Sequence, residues 1–379
     1  MKTLRALCTL WFFILPVLSC DFSFGDKMNE DNPDTWGDAR PLHEIYHGKF
    51  LVGNIIRNTD DFTNTTRSGI LKRHFNIVTA ENDMKPNHLA PGSAPSSVSA
   101  VWNYSFDTAD TIVNKAREAG FAVHGHTLIW HSQSPAWLAN GGEPYLNKFV
   151  TDVTDHFKGK LVSWDVVNEA MRDDLNSSDA SGSWKDCLRQ NDSLWYKSIG
   201  PDYIEKAFLA ARAADPDIKL FYNDYNLNNA NKAKAVYNMV NDINKKYPNA
   251  GGRPLIDGIG MQTHHHLKTD PQTVKASIQL FASLGVEIAI SEMDIVAADG
   301  GSINMSLGSW NDNNARLQAV QYAAMFGIFI DYSNYISRVI FWGLDDGTSW
   351  RTHNHPTLLD NNYGLKPAFL AVMNPDKFR

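Results

Sequence analysis

Eight apolar runs, each of strand length and set apart by segments of helical period, constrain this chain more than any other feature. They lie at 50–56, 75–80, 122–130, 161–167, 218–222, 258–262, 286–290 and 338–344. A parallel strand is covered on both faces, so it reads as a continuous apolar run rather than an alternating one. Between the runs, apolar residues recur at three- and four-residue spacing over 109–119, 203–214, 231–247, 271–284 and 314–330, and a last helix fits 367–373. This alternation predicts an α/β fold, a single (β/α)8 TIM barrel with enlarged loops, in preference to an open doubly wound sheet. No Gly-rich phosphate-binding turn follows any run.

The chain ahead of the first run has a different character. Lys2 and Arg5 precede an apolar stretch over 7–18, the layout of a secretory signal peptide over 1–19. The stretch ends in Val17-Leu18-Ser19-Cys20, which resembles a bacterial lipoprotein cleavage box and implies lipidation of Cys20. The expected location is therefore outside the cytoplasm, at the cell envelope through that lipid anchor, or secreted if the leader is an ordinary one. With Cys8 in the leader and Cys20 acylated, Cys187 stands alone and no internal disulfide is expected. Residues 20–41 are polar, rich in Asn, Asp, Gly and Pro, and read as a tether. The domain is expected over 42–379, as a monomer. A net charge of −7 provides no basic field for phosphate backbones, so nucleic acid is not an expected partner.

Barrel enzymes place their chemistry at the carboxyl ends of the strands. Sorted by strand end, the polar residues form one group: Glu81, Asn82 and Lys85; His126, Trp130 and His131; Asn168 and Glu169; Asn223, Asp224 and Tyr225; Gln262 and His264; Glu292 and Asp294; Trp342 and Asp345. A lone strand-end glutamate is as well explained by a helix cap or an ion pair. Two carboxyls among amide groups and indole faces suit a sugar polymer better. Acid chemistry acts at one bond, amides bind hydroxyls, and aromatic rings stack on sugar faces. No cofactor is expected.

Over about 45–375 the chain resembles glycoside hydrolase family 10, the endo-β-1,4-xylanases. The resemblance rests on Thr79-Ala80-Glu81-Asn82-Asp83-Met84-Lys85, Gly125-His126-Thr127-Leu128-Ile129-Trp130-His131-Ser132-Gln133, Asn168-Glu169-Ala170, Asn223-Asp224-Tyr225-Asn226, Gly260-Met261-Gln262-Thr263-His264, Ser291-Glu292-Met293-Asp294 and Phe341-Trp342-Gly343 with Ser349-Trp350-Arg351. It implies a retaining mechanism with Glu169 as acid/base and Glu292 as nucleophile, and xylan or xylo-oligosaccharides as substrate. It further implies that His264 bonds the nucleophile with support from Asp294, and that Asn168 binds the 2-hydroxyl of the sugar attacked. Glu81, Asn82, Lys85, His126, Trp130 and Gln133 would line the glycone side, Trp342 and Trp350 would wall the site, and Tyr225 and Gln262 would complete it. Carboxyls about 5 Å apart repel by roughly 3 kcal/mol at an effective dielectric near 20, so one of them is expected to keep its proton.

Other readings remain. A β-1,4-glucanase or a mixed-specificity retaining glycosidase shares the carboxylate arrangement, and a non-catalytic polysaccharide-binding surface protein shares the cleft. His264-His265-His266 raises a metal-dependent hydrolase, although alternate residues of a strand face opposite ways and three in succession cannot meet at one centre. The polar stretch 171–200, with Trp184, Trp195 and Tyr196, reads either as an extension of the aglycone side or as a surface loop packed on the barrel.

Overall fold

The computed structural model describes residues 33–250, 252–298 and 310–378. Nine strands form its sheet: β1 (Leu51–Ile56), β2 (Ile77–Ala80), β3 (Ala122–Trp130), β4 (Ser163–Asn168), β5 (Lys219–Asp224), β6 (Gly258–Met261), β7 (His264–His266), β8 (Glu287–Val296) and β9 (Ile336–Phe341). Every pairing between them is parallel. Neighbours run from β1 to β6 in chain order, β6 pairs with β8, β8 with β9, and β9 with β1, which closes an eight-stranded barrel. Helices follow the strands, among them Asp107–Glu118, Tyr203–Ala214, Ala230–Lys246, Pro271–Ala282, Asp312–Asp331 and Pro367–Met373. Two more, Thr65–His74 and Gly142–His156, complete the outer layer.

Missing side chains at chosen positions leave room for large buried rings beside the strands. A Cβ on Gly125 would lie 2.3 Å from the Trp164 ring, and one on Gly258 would lie 2.1 Å from the Phe221 ring. Glycine is required at both, because real Cβ contacts are never that short.

Three strand expectations are corrected. The sixth run ends at Met261, and Thr263, with φ of 57°, turns the chain before β7 begins. β7 pairs with the outer end of β8, His264 opposite Asp294, and this second ladder prolongs β8 to Val296 rather than Ile290. Glu292 therefore lies inside a strand. It still sits level with the rim, because Ile290 is opposite Met261 and Met293 opposite Phe341, the last residues of β6 and β9. The last run begins earlier and ends at Phe341.

The start of the domain also differs from the expected residue 42. The compact unit begins at Asp34. Ala39 is fully buried, the Arg73 guanidinium donates to its carbonyl from Nε and Nη2 (3.1 and 2.8 Å), and His74 Nε2 is 2.9 Å from the Trp36 carbonyl. These contacts fix 34–41 on the barrel. The expected signal peptide and Cys20 lie outside the described residues.

Candidate active site

Glu169 is the residue after β4, and its φ of 55° is left-handed, a conformation uncommon for a residue with a side chain. Its Oε2 accepts from Trp130 Nε1 at 2.8 Å and its Oε1 from Gln262 Nε2 at 2.9 Å. Burial pushes this carboxyl above the ordinary glutamate value, against the hydrogen bonds from Gln262 and Trp130, and the nearby charges of Asp224 and Glu292 add to the rise.

Glu292 occupies the opposite electrostatic situation. Its Oε1 accepts from Asn223 Nδ2 at 2.7 Å, and His264 Nε2 stands 3.2 Å from Oε2. Burial alone would raise this carboxyl, but the His264 hydrogen bond and the His126 ring outweigh it and hold it below the ordinary value. His264 Nδ1 lies 3.1 Å from Asp294 Oδ1. Desolvation opposes the charged imidazole, and the Asp294 charge reverses that effect, raising His264 to about 9. Asp294 is itself fixed by Trp350 Nε1 (2.9 Å) and Arg351 Nη1 (3.1 Å).

A line of amides joins the two carboxyls. Gln262 Nε2 donates to both Glu169 and Asn168 Oδ1 (3.1 Å), and Asn223 Nδ2 donates to both Asn168 Oδ1 (3.0 Å) and Glu292. Both amide nitrogens thus spend their protons on acceptors within the site, and Asn168 is held through its oxygen, its own Nδ2 having no hydrogen bond among the described residues.

The glycone group from the sequence gathers next to this line. Lys85 is buried, donates to Asn82 Oδ1 at 3.0 Å and lies 5.0 Å from the Trp130 ring centroid. Its ammonium is depressed by desolvation, which the Glu292, Glu81 and Glu169 charges counter. Glu81 is buried and raised by desolvation, with Lys85 opposing. His126 Nδ1 is bound by Asp165 Oδ2 at 2.9 Å, and its ring meets Trp342 edge-on at 5.3 Å. Gln133 contributes its carbonyl, which accepts from Asn87 N at 2.9 Å and ties the loops after β2 and β3 together; among the described residues its side chain has no hydrogen bond. Trp130 has a second attachment, since its indole N–H is committed to Glu169.

On the other side of Glu169, Tyr225 donates its hydroxyl to Asp173 and accepts from Arg189 Nη2. Buried Lys232 reaches Asp173 Oδ1 and Asp224 Oδ1, both at 2.9 Å. In the 171–200 stretch, Trp184 and Trp195 are core residues, and Trp195 Nε1 donates to the Trp130 carbonyl at 3.1 Å. The same stretch sends Arg189 to the Glu169 carbonyl at 3.0 Å, while its Trp184 and Trp195 pack on the barrel as the surface-loop reading expects. Asn223 stands in the strand-end group and Arg351 in the quoted Ser349-Trp350-Arg351 block, each without an assigned role. Asp165, Arg189 and Asp173 were not singled out from the sequence, and nothing in the spacing of Arg189 signals its position. Of the three successive histidines, His264 reaches Glu292 and Asp294, and His265 is buried on the alternate face.

Known proteins resemble this chain over most of its length. Endo-1,4-beta-xylanase A of Thermotoga neapolitana is 37% identical over 97% of the chain, which spans only 34% of that relative's length. Endo-1,4-beta-xylanase of Geobacillus stearothermophilus is 33% identical over 88% of the chain and 98% of the relative. Among solved structures, a family 10 xylanase from termite gut superimposes with a TM-score of 0.83 at 34% identity, over 91% of this chain and 79% of that one. An intracellular xylanase of Thermoanaerobacterium saccharolyticum, determined with xylotriose, gives 0.74 at 34% identity over 90% and 99%. The family model described as Glycosyl hydrolase family 10 matches residues 41–375, and the chain belongs to that family.

Proposed function

We propose that the protein is a retaining endo-β-1,4-xylanase. The observation that carries this reading is the pair of rim carboxyls with opposed environments, Glu169 raised by burial and Glu292 lowered by its hydrogen bonds. Glu169 in its acid form donates a proton to the glycosidic oxygen as the bond to the anomeric carbon breaks. Glu292, ionised, attacks that carbon and forms the glycosyl-enzyme. Its charge then disappears, which removes one of the influences raising Glu169. Glu169, now a carboxylate, takes a proton from water as the water oxygen displaces Glu292. Asn168, whose amide nitrogen has no hydrogen bond among the described residues, is suited to the 2-hydroxyl, where contacts strengthen as positive charge develops at the anomeric centre. Xylan as the polymer is supported by the relatives named as xylanases and by the neighbour determined with xylotriose.

Glu292→Ala is expected to abolish turnover while oligosaccharide binding persists in calorimetry; xylan hydrolysis near the wild-type rate would remove Glu292 as nucleophile. A product profile on xylan, arabinoxylan and cellulose tests the polymer. Release of reducing ends from xylan in preference to cellulose is expected, and faster attack on cellulose would favour the glucanase reading. Export with a lipid on Cys20 is the matching proposal for location. Labelled palmitate should enter the wild-type protein in a bacterial host and not Cys20→Ala, and equal labelling would refute it.

A further inference from the structure

We infer that Arg189, on the loop after β4, is a positioning residue for the proton donor Glu169, acting through the main chain rather than through the carboxyl. The inference rests on the acid/base role proposed for Glu169. That residue follows β4 with a left-handed backbone, a conformation that L-residues adopt only where surroundings enforce it. Four contacts enforce it here. Glu169 N donates to the Asn223 carbonyl at 2.8 Å. The N–H groups of Ala170 and Met171 both donate to Tyr222 Oη, at 3.0 and 3.2 Å. The Glu169 carbonyl accepts from Arg189 Nε at 3.0 Å. The first three come from β5, and the fourth comes from the loop alone.

The Arg189 guanidinium is itself held from two directions. Its Nη2 donates to Asp173 Oδ2 at 2.9 Å and to Tyr225 Oη, and its main-chain N donates to the Ala170 carbonyl at 2.9 Å. An antiparallel bridge between Met171 and Leu188, with Arg172 N donating to the Cys187 carbonyl at 2.9 Å, attaches the loop to the residues following Glu169. The Nε and Nη2 groups lie on one edge of a planar cation, so a single rigid group spans the Glu169 carbonyl and the Asp173–Tyr225 pair. A lysine has the charge but not this fork. Arg189 thereby couples the donor's backbone to Tyr225 on the aglycone side, where a leaving sugar would sit. The structure assigns it no contact with the reacting atoms.

The two roles, positioning and plain stability, differ in what they do to leaving-group dependence. A misplaced acid harms substrates that need protonation and spares aryl glycosides whose leaving group departs unaided. For Arg189→Lys and Arg189→Ala, kcat/KM, which reports the steps through formation of the glycosyl-enzyme, is expected to fall roughly 10- to 100-fold on xylohexaose, the scale of a displacement of about 1 Å. On a dinitrophenyl xylobioside the fall should be under about threefold on the same reasoning. Equal losses on both substrates, or no loss on xylohexaose, would overturn the inference; a circular-dichroism melt on each variant identifies losses due to unfolding, and Arg189→Lys, which keeps the charge, then decides. Glu169→Gln is run beside them. If it too fails to discriminate between the substrates, the acid role of Glu169 falls. If it discriminates and the Arg189 variants do not, only the role of Arg189 falls.

Discussion

At the residue scale, the site turns on how burial and neighbours divide two identical side chains. Glu169 and Glu292 are both desolvated, and what separates them is that Glu292 faces a charged His264 while Glu169 faces amide and indole N–H groups. His264 is the more informative residue to titrate. Its folded value of about 9 stands above the ordinary imidazole value of 6.5, so the charged ring stabilises the fold fully below about 6.5, and that contribution is lost as pH rises through about 9. The imidazolium signal of His264 should accordingly persist in NMR spectra to about pH 9, and titration near 6.5 would contradict the Asp294 contact as its cause. Removing the cation with His264→Gln should move the acidic limb of kcat/KM to higher pH, because Glu292 loses the neighbour that favours its charge. An unmoved limb would mean that His264 does not set the ionisation of Glu292. Motifs made Glu169, Glu292, His264 and Asp294 legible in the sequence. Arg189 was not legible, because its role depends on a loop folding back by twenty residues onto the Glu169 carbonyl.

At the element scale, the strands act as a register that brings separate amides to one height. β4, β5 and β6 deliver Asn168, Asn223 and Gln262 to adjacent positions, and their hydrogen bonds link the carboxyls. Gly260 makes room for this. A Cβ there would lie 2.2 Å from Asn223 Oδ1, an oxygen already accepting from Ser291 Oγ at 2.6 Å. Gly260→Ala should therefore displace the amide that supports Glu292, lowering kcat by about 100-fold while destabilising the fold by about 1–3 kcal/mol. Steady-state kinetics beside thermal unfolding separates the two; an unchanged kcat would show that Asn223 need not hold its place. Apolar runs revealed the strands, but not the prolonged β8. The segment after Ile290 is polar at Ser291, Glu292 and Asp294, and the added ladder with β7, together with the pairing of Met293 with Phe341, keeps it extended.

At the scale of the whole molecule, the barrel joins the two ends of the chain through β1 and β9, and a buried ion group reinforces that junction. Arg67, on the helix after β1, donates to Asp61 Oδ1 at 2.5 Å and to Asp345 Oδ2, beyond β9, at 2.9 Å. Taking the cation away leaves carboxylates buried without it, so Arg67→Met should destabilise by about 3–5 kcal/mol in thermal or denaturant unfolding. A change below about 1 kcal/mol, the worth of an exposed pair, would contradict that placement. The closed barrel was legible from eight runs and their spacing, whereas the docking of 34–41 was not, because it relies on main-chain carbonyls of Trp36 and Ala39 that no residue pattern announces. The central claim, double displacement by Glu169 and Glu292, is tested most directly by the anomeric form of the first product. Proton NMR of xylohexaose hydrolysis, followed from the first turnovers, should show the β-anomer appearing first and mutarotating to the equilibrium mixture. Initial release of the α-anomer would contradict it.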